Sequence, residues 1–225
     1  MLSLTVAEIE KAKAAGTAIP DWFACSFGDA DVVMTIEDEH GKIDLNEVSP
    51  QTVSALLIAM GSDKDDARQL ALHLADYRDP DDFGRFTGDE AIAYSQLGLP
   101  PPRNAKLISL RDLASIPGWA QVSVQEISRH ATVHSGRRQV DPASASEIVR
   151  SVLANAGSAR ENTKASGASL FTVRVTASGE NDAQASLGVV LELRSDLPSG
   201  HRVLEWRDET GQPKTPPANN CNRMN

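Results

Sequence analysis

An α+β fold with an all-helical segment set into it is what this sequence predicts, and three observations carry the prediction. Asp31–Glu37 (DVVMTIE) is rich in β-branched residues and partly alternating, which reads as a strand. Leu170–Ala177 (LFTVRVTA) and Ala185–Arg194 (ASLGVVLELR) alternate more clearly, and GENDAQ between them reads as a hairpin connection. Between the first strand and this closing pair, helical patterning dominates. Strand, helical block, strands is the order expected when a helical insertion interrupts a sheet-bearing scaffold.

Each element has a local reason. Leu4, Ile9 and the alanines at 7, 12, 14 and 15 form a weak amphipathic helix that Gly16 and Pro20 stop. After the first strand, EHGK is a turn and IDLN a short strand. Ser49 and Pro50 stand in cap and first-turn positions for a helix that ends at Gly61. Asp63 or Asp65 caps a second helix, in which Ala67, Leu70, Leu74 and Tyr77 share a face. EAIAYSQLG is a further helical segment, and LPPPRN is extended by its prolines. Ser109 caps another helix over SLRDLASI, PGWAQ turns the chain into VSVQEISRH, and TVHS is a short strand. DPASASEIVRSVLANAG is a capped helix, and NAGSARENTKASGAS is loop-like. RVLEWRDE adds a last strand, and the Pro- and Asn-rich tail reads as disordered.

Composition narrows the functional classes. The chain has 225 residues, is 40% hydrophobic and 24% charged, and carries a net charge of -9. That size supports a core without staples. The negative charge weighs against binding a phosphate backbone, and 4% aromatic residues is too few for a base-stacking platform. The two cysteines, Cys25 and Cys221, lack zinc-ligand spacing; they pair in an oxidising compartment or remain two free thiols. No apolar run has membrane-spanning length and no signal peptide precedes the start. The sequence shows no G-x-S-x-G, no Walker loop and no G-x-G-x-x-G, and its five histidines are scattered, so it reads as not an enzyme.

The stretch from Leu74 to Tyr94 gathers most of the chemistry. Set against the loop pattern of calcium-binding helix pairs, Asp79 takes position 1, Asp81 position 3, Gly84 position 6, Phe86 position 8 and Glu90 position 12. Phe83 stands where another oxygen ligand belongs, so Asp76, Asp82, Asp89, carbonyls or water would complete the shell. A divalent cation would relieve the repulsion among these carboxylates. The alternative is a polar turn whose aspartates cap the next helix and face water.

A second motif, LRDLASIPGWAQVSVQEI, places two amphipathic segments around a P-G turn. It suggests either a helix-hairpin-helix of the competence type, whose hairpin amides would hold a DNA phosphate, or a hairpin used for packing. The second glycine usual in the DNA-binding form is replaced by Ala120. A metal-dependent hydrolase built on the carboxylate cluster is a third reading, and it requires an open coordination position.

Taken in order, DEHGKIDLNEVSPQTVSALL, ALHLADYRDPDD, GDEAIAY, LISLRDLASIPGW and ATVHS resemble the K class of minor pseudopilins of type II secretion systems (general secretion pathway protein K). The resemblance spans roughly Asp31 to Trp206 and implies a pseudopilin-like helix and antiparallel sheet with an inserted all-α domain. Residues 1–45 would then hold the end of the N-terminal helix and the first strand, 46–131 the inserted domain, 132–210 the rest of the core and 211–225 a disordered tail. The resemblance further implies a non-catalytic subunit that caps a pseudopilus at the periplasmic face of the bacterial inner membrane. Its partners would be the I-class and J-class minor pseudopilins, with no nucleic acid. The membrane would be met only through an N-terminal helix missing from this sequence. Calcium is the implied ion, and Asp79, Asp81, Asp82 and Glu90 are the matching acidic positions.

Overall fold

The computed structural model describes residues 2–27, 30–84, 88–155, 169–179 and 184–208. The chain divides into two units, one formed by Met1–Glu39 and Gly167–Asn225 and the other by His40–Ser166.

The first unit is a helix on a sheet. Helix α1 (Leu2–Ala15) ends at Gly16, whose φ of 64° is a left-handed value that glycine adopts without strain. Strands β1 (Trp22–Phe27) and β2 (Ala30–Asp38) form a hairpin. The sheet has five strands in the order β1–β2–β7–β8–β9, every neighbouring pair antiparallel, where β7 is Leu170–Ser178, β8 is Gln184–Leu193 and β9 is His201–Asp208. Alternation decides its faces. Ile36, Val173 and Val189 are register partners across three strands and join Phe171, Leu191 and Leu193 in one core with Val6 and Ile9 of α1. The register partners one step along, Thr172 on β7 and Glu37 on β2, put polar side chains on the other face. There the Thr172 hydroxyl donates to Glu39 at 2.6 Å, and Arg207 pairs with Glu205 at 2.8 Å in a buried ion pair.

The second unit is mainly helical. It opens with strand β3 (Ile43–Asp44), helix α2 (Pro50–Ala59) and helix α3 (Lys64–Arg78). A two-residue hairpin follows, β4 (Phe83–Gly84) with β5 (Gly88–Asp89), leading into α4 (Glu90–Gln96). Then come 3-10 turns at Leu110–Ser115 and Trp119–Gln121, helix α5 (Val124–Ile127), strand β6 (Ala131–Thr132) and helix α6 (Glu147–Asn155). Leu56, Leu57, Leu74, Leu110, Leu113 and Trp119 are fully buried at the centre.

Two features around the stretch Gly41–Asn46 hold this unit together. Strand β3 pairs with β6 in parallel, and Asp44 accepts from Asn46 N, the Ser135 hydroxyl and Gly136 N at 2.7–2.9 Å. Asn46 donates to the carbonyls of Leu107 and Val133 and accepts from Leu107 N, so one side chain ties three segments. A side chain at Gly41 would place its Cβ 2.3 Å from the Ser144 carbonyl oxygen, which explains why glycine precedes Lys42 here.

Several expectations change in detail. The inserted unit begins at His40 and runs to Ser166 rather than spanning 46–131. The reason is packing: Val149 and Val152 of α6 belong to the helical core, and the β6 side of the parallel pair is tied to β3. Strand β1 escaped notice because WFACSF is short and sits among turn residues. The segment after Ser109 is a six-residue 3-10 turn, not an α-helix. The expected tail and Cys221, GENDAQ apart from its ends, and most of the loop after α6 lie outside the described residues. Cys25 is disulfide-bonded.

Replacing Asn46 with Ala removes three hydrogen bonds and leaves partly buried backbone groups of Leu107 and Val133 without partners. Urea unfolding should show a loss of about 2 kcal/mol or more. An unchanged midpoint would show that these segments are held by packing alone.

Candidate functional site: an acidic corner in the helical unit

The acidic stretch is a corner built by two helix ends. Helix α3 starts at Asp63, whose carboxylate accepts from Asp65 N, and ends at Asp79. Its last residue, Arg78, reaches the carbonyls of Leu45 and Val48, which anchors the helix end to the start of the unit. Asp89 caps α4 by accepting from Ile92 N at 3.1 Å. Between the helices, Asp81 accepts from Phe83 N at 2.9 Å, and Glu90 N donates to the Asp82 carbonyl at 3.2 Å. The residue at Phe86 lies outside the described residues. Phe83 is 76% exposed, so the position that fails the calcium pattern by type also points out into solvent.

The carboxylates differ sharply in surroundings. Asp81, Asp82 and Asp89 are exposed, Asp79 is half-buried, and Asp76 is buried. Glu90 is only 2% exposed, yet neither of its carboxylate oxygens accepts a hydrogen bond among the described residues. Burial, then the charges of Asp76, Asp79, Asp81 and Asp82, push its pKa from an ordinary 4.5 up to about 7. Tyr94, one turn further along α4, has a buried hydroxyl without a partner, and burial also drives its pKa upward.

Asn104 joins the corner from the linker after α4, and sequence reading passed it over. Its Nδ2 donates to the Asp81 carbonyl at 2.9 Å and to Asp82 Oδ1 at 2.8 Å. Its φ of 48° is a left-handed value, one that Asn tolerates better than most residues. That preference, just after the run Pro100–Pro102, was the signal for it in the sequence.

The donor chemistry fits a hard cation. The carboxylates and the Asn104 amide offer oxygen, and the buried oxygens of Glu90 lack donors among the described residues. Among the described residues, however, no three His, Cys, Asp or Glu side chains gather into a group able to hold a metal ion.

The P-G turn serves packing. Gly118 has a φ of 79°, and a Cβ there would lie 2.9 Å from a Leu70 methyl carbon. The Trp119 indole, 1% exposed, donates to the Leu70 carbonyl at 2.8 Å, and His73 Nδ1 is 3.0 Å from the Pro117 carbonyl. Its flanks are a six-residue 3-10 turn and a four-residue helix, not the helix pair of a DNA-binding hairpin. His130 hydrogen-bonds Ser146 at 2.9 Å and so ties the start of α6 rather than forming a site with His134.

Comparison with known proteins gives a family match and a fold match. Residues 33–136 match the family model of the type II secretion system (T2SS), protein K. The fold matches a chain in the crystal structure of the GspK–GspI–GspJ complex from the enterotoxigenic Escherichia coli type 2 secretion system, with a TM-score of 0.70. That match covers 93% of each chain at 12% identity, which establishes a shared α+β architecture. No curated protein sequence is significantly similar.

The raised pKa of Glu90 has a definite sign in stability. Between 4.5 and about 7 the folded state keeps a proton that the unfolded chain has released, so stability falls as pH rises through this window and levels off above it. In chelator, the wild type should lose on the order of 3 kcal/mol relative to Glu90→Gln between pH 4.5 and 8. Parallel stability curves for the two proteins would remove Glu90 as the origin.

Proposed function

We propose that this chain is a type II secretion system protein K, a non-catalytic minor pseudopilin that caps the tip of the pseudopilus on the periplasmic side of the cell envelope. One observation carries the reading: a whole helical unit, His40–Ser166, is inserted between two hydrogen-bonded strands of the helix-and-sheet unit. A filament of this kind grows by heterologous contacts that repeat from subunit to subunit, and an added domain on one subunit stops the repeat. Among the described residues no helix is long and apolar enough to cross a membrane.

The partners follow from the same reading. The structural relative is seen in a complex of GspK, GspI and GspJ, and the I-class and J-class pseudopilins are the proposed neighbours of this chain. We infer further that the acidic corner holds calcium. Asp79, Asp81, Asp82 and Glu90 are the proposed protein ligands, and the ion would supply positive charge to neighbouring carboxylates. Its role is to fasten the α3–α4 corner and not to activate water.

Mixed with I-class and J-class pseudopilins from the same organism, the chain should elute as a ternary complex in size-exclusion chromatography with light scattering. Three separate peaks at micromolar concentrations would count against the tip assignment. Calcium in excess should raise the melting temperature, by linkage to the folded state. Asp79→Ala with Glu90→Ala should erase that increase, and an increase that survives both substitutions would place the ion elsewhere.

A further inference from the structure

We propose that Cys25 is bonded to Cys221, and that this disulfide straps the C-terminal segment, residues 209–221, across the α1 face of the sheet over Ala185 and Ala177. Cys25 is disulfide-bonded, and the chain has two cysteines, so within one chain its partner is Cys221. Both belong to the helix-and-sheet unit, Cys25 to its first part and Cys221 to its last.

Strand register gives the face on which the bond lies. Cys25 is opposite Val32 on β2, Val32 is opposite Ala177 on β7, and Ala177 is opposite Ala185 on β8. Residues directly opposite one another point to the same side of a sheet. Cys25 is 5% exposed and packs with Val32, Met34 and Leu4 of α1, so the whole row lies on the face that α1 covers. Cover thins along it. Cys25 and Val32 are buried, Ala177 is half-buried and Ala185 is exposed. Leu187, next on that face of β8, is 40% exposed.

The last strand ends where a crossing of this row begins. β9 stops at Asp208, opposite Leu187, on the edge of the sheet away from β1. Cys25 is then four strand spacings away, about 19 Å. Residues 209–221 reach up to about 45 Å when extended, enough to turn and cross. Alanine at 177 and 185 leaves room for a chain lying over the row, where larger side chains would hold it off. The crossing covers Ala185 and Leu187. It also fastens β1, an edge strand with one neighbour, to the opposite edge of the sheet.

The bond forms by thiol–disulfide exchange. The two thiols give up two protons and two electrons, and a disulfide oxidant of an oxidising compartment is reduced to its dithiol.

The full chain, produced in an oxidising compartment and digested with trypsin without reductant, should yield peptide 14–42 joined to peptide 215–223 in mass spectra, from a monomer. Cys221→Ser should melt about 5–10 °C below the wild type, and dithiothreitol should bring the wild type down to the same value. Ala185→Arg tests the route. It places a long charged side chain under the strap and should slow closure of the bond by oxidised glutathione at least about fivefold, with circular dichroism unchanged, by lowering the effective concentration of Cys221 at Cys25. Gln184→Arg, on the other face of β8, should close at the wild-type rate. Two free thiols, a bond between two chains, or an unchanged melting temperature in Cys221→Ser overturns the pairing. Closure at the wild-type rate in Ala185→Arg overturns the strap.

Discussion

The architecture depends on the pairing of β2 with β7. These strands are adjacent in the sheet, with Asp38 opposite Phe171, although the whole helical unit lies between them in sequence. The chain therefore leaves the sheet and returns to it at neighbouring points. The closure entropy of a long insertion rises only slowly with its length, and here the sheet already holds the two ends together. The sheet needs no contribution from the inserted residues to complete its ladder. Helix α1 covers the Ile36, Val173 and Val189 row with Val6 and Ile9, so the first unit has a core of its own.

The inserted unit solves a different problem. Its helices are short, and several of its connections are 3-10 turns, which make weaker hydrogen bonds than α-helices. Side chains take over part of the work. Asp44 and Asn46 satisfy backbone groups from three separate segments, Arg78 secures the end of α3, and the Trp119 indole fastens the P-G turn to Leu70. This explains why polar residues with fixed geometry, rather than long apolar stripes, mark the sequence between residues 41 and 136.

The acidic corner concentrates like charge around one buried group. It sets a fully buried carboxylate amid four others, which raises its proton affinity. A protein that tolerates such a cost either uses the group for chemistry or neutralises it. The corner joins two helix ends and a linker, since Asn104 reaches Asp81 and Asp82 from beyond α4.

Much of this was legible from residues alone. Runs of β-branched and alternating residues revealed β2, β7 and β8, although the sheet buries both faces at its centre, where Phe171, Thr172 and Val173 in succession are covered. Ser49, Pro50 and Asp63 marked helix starts through local features that need no tertiary context. The carboxylates of the corner were visible because they lie close together in sequence. Tertiary structure alone decided three things. It set the limits of the inserted unit, because α6 joins the helical core through Val149 and Val152, far from α2 in the chain. It separated Glu90 from the exposed aspartates, because burial is a property of packing and not of residue type. It brought Asn104 to Asp82 across 22 residues, a neighbourhood that no spacing rule contains, because hydrogen bonds between distant segments depend on where the fold places them.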